Sequence, residues 1–143
     1  MTRTLLALTA VLCVSAQSLT AQEEKAEKSA PTRPGDEKGE VPVSDSLADC
    51  ASILAIASGL SNNLVYRNSY SHNAGNWFAA SGDVALQEGG LPAEDAWEKK
   101  VANWSAQITS VDGLAGHKDW MTYCVHIGSE HGLDTSLFAT YAE

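Results

Sequence analysis

The chain has 143 residues and a formal charge of −9, from 18 acidic and 9 basic side chains. That length allows one domain of ordinary size. The acidic balance argues against nucleic-acid binding, which needs a basic face to neutralise phosphates, and against electrostatic docking on anionic lipid.

Hydrophobic residues make up 44 % of the chain, enough to supply a core. The chain opens with Arg3 and then an apolar run, LLALTAVLCV, over residues 5–14. Val14 and Ala16 suit the positions that flank a signal-peptidase cut after Ala16. A later cut after Ala21 is the poorer option, because Leu19 is bulky. The run is too short for a bilayer core of about 30 Å. Residues 1–16 therefore read as a secretory signal peptide, and the mature chain as periplasmic or secreted. No later apolar stretch of transmembrane length is expected, so no stable membrane insertion follows cleavage.

Cleavage removes Arg3 and Cys13. The mature chain then carries 8 basic and 18 acidic residues, a charge of −10. It keeps two cysteines, Cys50 and Cys124. An even count in an exported chain is what a disulfide needs.

Residues 17–43 read as a disordered polar linker. From Gln22 to Pro42 there is no Leu, Ile, Phe, Trp or Tyr. Such a segment buries too little apolar surface to offset its ordering entropy. Residues 44–143 are the expected domain.

A first helix is predicted to start at Ser44 or Asp45, both good N-caps. Leu47, Cys50, Leu54, Ala57 and Leu64 form its stripe, and the run extends towards Arg67 past weak points at Gly59 and 61–63. A second helix follows from about Tyr70, with Ala74, Trp77, Ser81 and Val84 on one face, and ends at Gly89-Gly90. The third helix is predicted over 92–111. Pro92 fits its first turn and Glu94 and Asp95 suit the positive end of its dipole. Trp97, Val101, Trp104, Ile108 and Val111 fall within an arc of about 80° at helical spacing. Asp95 and Lys99 make an i,i+4 pair outside. Residues 112–116 read as a turn. A fourth helix runs from about His117 to His131 and stops at Gly132. Asp134 caps a short last helix over 135–141. The expected architecture is all-α: an antiparallel four-helix bundle in up-down-up-down order, plus a C-terminal helix.

Several residues are candidates for chemistry. In an up-down bundle the first and last helices are neighbours, so Cys50 and Cys124 are expected to pair. Asp119, His126 and Glu130 fall within an arc of about 40° on the fourth helix, at spacings that let side chains share a cation. A ligand from elsewhere, such as His72, would have to complete that site. His117 and His131 lie towards the apolar side of the same helix. Trp77, Trp97, Trp104 and Trp120 all fall on apolar faces, as core or as the wall of an aromatic pocket. No cofactor motif (CxxCH, a Gly-rich phosphate loop) and no serine-nucleophile motif (GxSxG, SxxK) is present.

The domain from Ser44 onward carries 4 basic and 12 acidic residues. That excess can steer a basic protein partner. The leading expectation is an exported, non-enzymatic binding module of the inhibitor, immunity or envelope-stress kind. A small-ligand or metal-binding bundle is the second reading, and a hydrolase the third.

Overall fold

A computed structural model describes residues 31–91, 93 and 95–142. The expected signal peptide, linker residues 17–30, and Pro92 and Glu94 of the expected third helix lie outside the described residues. The described chain forms α1 (Val43–Leu60), α2 (Leu64–Glu88), α3 (Ala96–Ser105), a 3-10 helix (Val111–His117), α4 (Lys118–Glu130) and α5 (Ser136–Ala142). No strand occurs among the described residues. The class is all-α, as the apolar spacing predicts.

The core is built around α1. Leu47, Cys50, Leu54 and Ala57 are buried on the predicted stripe, and Ile53, Ile56, Ser46 and Ser52 are buried beside it. A helix covered nearly all round is largely apolar, and the polar side chains it buries need partners. With 18 residues and a mean hydropathy of 1.3, Val43–Leu60 is long and apolar enough to cross a membrane, contrary to the expectation that no such stretch follows the leader. Here 67 % of it is buried within the fold, so α1 is a core helix. It packs most extensively on α2 and less on α3 and α4, while α4 turns most of its contacts to α5. The most extensive packing is thus α1 on α2, with α4 and α5 forming a second pair.

Several helix ends differ from expectation, each for a local reason. Neither Ser44 nor Asp45 caps α1. Pro42 precedes its first turn and offers no side-chain cap. Instead Glu88, at the end of antiparallel α2, accepts from the Val43 N–H at 2.8 Å, the Ser44 N–H at 3.3 Å and the Ser44 hydroxyl at 2.5 Å. A carboxylate there suits the positive end of the helix dipole. The run towards Arg67 breaks after Leu60. Ser61 is extended, and the Asn63 side chain accepts from the Val65 and Tyr66 N–H groups at 2.9 and 3.4 Å, which starts α2 at Leu64.

The expected third helix ends at Ser105, short of Ile108 and Val111. Ser110 accepts from the Gly113 N–H at 3.1 Å and opens a 3-10 helix where a plain turn is expected. Ile108 and Leu114 still reach the core, at 1 and 0 % exposure, by a different backbone path. The glycine stops hold: Gly89 and Gly132 have φ of +108° and +66°. The Asp134 carboxylate accepts from the Ser136 N–H at 2.9 Å and caps α5 as predicted.

The described end of the linker, residues 31–42, is folded against the domain. Arg33 bonds to α1, and buried Asp36 accepts from the Glu40 and Val41 N–H groups at 3.1 and 3.0 Å. Gly35 and Gly39, at φ +81° and +65°, make the two turns possible. An ion pair and turn hydrogen bonds order this segment. Apolar content does not reflect such contacts.

Candidate functional site

The two cysteines meet. Cys50 of α1 and Cys124 of α4 form a disulfide with Cα atoms 5.9 Å apart, across a sequence separation of 74. Both are fully buried.

The four tryptophans do not share one pocket. Trp77 is fully buried, its indole N–H donates to the Asp134 carbonyl at 3.1 Å, and it meets Phe138 edge-on at 5.2 Å. Half-buried Trp97 packs against Phe78, ring centres 4.7 Å apart. Together they wall a cleft of about 40 Å³ that also includes Asp45 and Lys100. Trp104 and Trp120 meet edge-on at 5.0 Å, and His117 meets Trp104 at 5.7 Å.

The polar face of α4 splits in two. His126 and Glu130 approach to 3.4 Å and share a shallow groove with Pro31 and His131. Asp119 lies two turns away in a separate depression with Pro34, His117 and Trp120. His72 is exposed on α2. Among the described residues no three His, Cys, Asp or Glu side chains are grouped to hold a metal ion.

The most constrained polar group is one that residue spacing did not single out. Asp49 of α1 has a side chain only 6 % exposed. Its Oδ2 accepts from Arg33 Nη2 at 2.8 Å and from Lys100 Nζ at 3.0 Å. Its Oδ1 accepts from the Trp104 indole N–H at 2.9 Å. Asp45, one turn earlier, lies 2.9 Å from Lys100 and 3.6 Å from Arg33. The Arg33 guanidinium also sits over the Trp120 ring, 5.1 Å from its centre. Two carboxylates thus face two cations against an indole wall.

A signal for this site exists in the sequence. Asp45 and Asp49 are like charges at i,i+4, which repel, and α1 holds no basic residue. The cations must come from elsewhere in the chain. Helical spacing identifies α3 as a neighbour but does not select Lys100, and it says nothing of Arg33.

With three donors, two of them cationic, the Asp49 carboxylate is arranged to hold cations. One atom is left over: the Arg33 Nε–H is buried without a partner. No protein-family model, curated protein or solved structure matches this chain.

Proposed function

We propose that the chain is an exported, disulfide-tied helical domain that works by binding a basic protein partner, without catalysis. The segregation of charge carries this reading. Arg33 and Lys100, side chains 18 and 17 % exposed, are spent internally on Asp45 and Asp49. Outside that neutral cluster the described residues hold eleven acidic and four basic side chains. Among those four, Lys99 is paired with Asp95 at 2.5 Å. The outer surface is therefore more one-sided than the overall composition suggests, and such a surface speeds and orients encounters with a cationic protein. The leader over 1–16 and the Cys50–Cys124 bond support export, since disulfides persist in oxidising compartments.

The test is capture of a partner from the cell envelope of the source cells, repeated with an Asp112→Lys/Asp119→Lys variant. Both sites are exposed. The expected partner is a basic protein retained at about 0.1 M salt and released near 1 M, where the screening length falls from about 10 Å to about 3 Å. The charge-reversed variant should retain less of it. A partner held equally well at both salt concentrations and by both forms would overturn the charge-based reading.

A further inference from the structure

We propose that the Asp49 slot is a recognition site for an arginine side chain of a partner polypeptide, occupied in this state by Arg33 of the same chain as a stand-in. The inference rests on the binding-module reading above and names the side chain that such a partner would insert.

The chemistry of the slot is that of a guanidinium receptor. It offers a buried carboxylate, a second carboxylate one helical turn away, and an indole face. Guanidinium suits all three, because it is planar, donates from several N–H groups and stacks on aromatic rings. An ammonium uses the carboxylates but gains less from the ring.

Arg33 fills the slot imperfectly. Only its Nη2 reaches the carboxylates, and its Nε–H is buried with no acceptor. A well-fitted ligand would satisfy that donor, since an unmet buried N–H is costly. Arg33 is also delivered by a short segment with its own internal turn, closed by the Asp36 carboxylate on the Glu40 and Val41 N–H groups. Neither bond involves the slot, so the turn can persist while Arg33 leaves. The net negative charge of the protein favours approach of a basic chain. Arg33 is held by its ion pairs with Asp49 and Asp45 and by tethering, which sets a local concentration of order mM for short linkers.

The experiment uses the mature chain and its Arg33→Ala variant, titrated with a pentapeptide Gly-Ser-Arg-Ser-Gly, capped at both ends, and with its lysine counterpart. Tryptophan fluorescence reports binding, because Trp120 and Trp104 line the slot. The expected result is at least tenfold tighter binding of the arginine peptide to the variant than to the unaltered chain. The lysine peptide should bind the variant at least tenfold more weakly than the arginine peptide. Equal affinity for both proteins, equal affinity for both peptides, or no binding to the variant overturns the proposal.

A peptide of residues 31–41 serves as the reference ligand. If it alone binds the variant, the slot is a purely internal clasp and the partner role falls. Should the variant be unfolded, the arginine peptide is expected to restore its helical circular dichroism, and failure to do so also overturns the proposal. Binding of the arginine peptide without capture of any basic envelope protein would leave the slot standing and remove the wider reading.

Discussion

The Trp104 indole N–H donates to Asp49 Oδ1 at 2.9 Å, while the other oxygen of the same carboxylate takes Arg33 and Lys100. A carboxylate this covered depends on the donors that replace its lost water. Asp49→Asn keeps the shape and removes the charge, leaving two half-buried cations to share Asp45. Breaking a buried pair from one side costs about 3–5 kcal/mol, so the expected loss in unfolding free energy is about 3 kcal/mol. Asp45, 40 % exposed, makes its pairs in a wetter setting. Asp45→Asn should cost no more than about 1 kcal/mol. Urea denaturation of the two variants measures the contrast, and equal losses would show that Asp49 is not the anchor.

The Cys50–Cys124 bond closes most of the folded domain into one loop. For a separation of 74 the chain-entropy model gives roughly 4–5 kcal/mol. A domain of this size buries a smaller share of its surface than a large one, so such a tie carries weight. The Cys50→Ala/Cys124→Ala variant is expected to lose about 2–5 kcal/mol in denaturant unfolding. A loss below about 1 kcal/mol would mean that the helices hold one another without the bond.

Gly128 on α4 is the close-approach point for the core. A Cβ placed there would collide with Trp77, whose Cζ2 would lie at 2.5 Å, and with the Thr135 methyl at 2.7 Å. Trp77 is fully buried and hydrogen-bonded to the Asp134 carbonyl, so it has little room to yield. Gly128→Ala should therefore destabilise by about 1–3 kcal/mol, as overpacking does. Combining it with Trp77→Phe should give a protein more stable than the two single losses predict, because the smaller ring relieves the clash. Strict additivity would remove steric contact as the cause.

Much of this fold is legible in the residues themselves. Apolar positions at three- and four-residue steps identify the helices, and Gly89, Gly132 and Asp134 mark ends where expected. The pairing of Cys50 with Cys124 follows from placing both on inward faces. What escapes are features made by contacts distant in sequence. The α1 cap comes from Glu88, some 44 residues away, so no local signal announces it. Val101, Trp104, Ile108 and Val111 keep helical spacing although the helix stops at Ser105, because burial constrains side chains and not the route between them. Asp49 hides among apolar neighbours because its partners, Arg33 and Lys100, lie in the linker and in α3. Asp119, His126 and Glu130 align on a helical wheel, yet two turns of rise separate the first from the others. A wheel shows angle and omits height.

Acid stability should depend on two carboxylates that act as turn and helix caps. The Val41 N–H, donating to Asp36, holds that carboxyl below its ordinary value; the Glu40 and Gly39 N–H groups and the Arg33 charge add to this, while burial opposes it. The Ser136 N–H and hydroxyl, with Asn73, hold Asp134 down in the same way. A group with a lowered folded-state pKa stabilises the fold above its unfolded value, about 3.9 for Asp. That contribution fades as pH falls from there through the lower folded value. The contribution of these two groups should thus be flat near neutrality and decline below about pH 4. Asp36→Asn and Asp134→Asn should each lower stability at pH 7 and make the acid limb shallower, since one proton fewer is taken up on unfolding. Thermal melts from neutral pH down through the carboxylate range read both effects. An acid limb unchanged in both variants would assign the decline to other carboxylates.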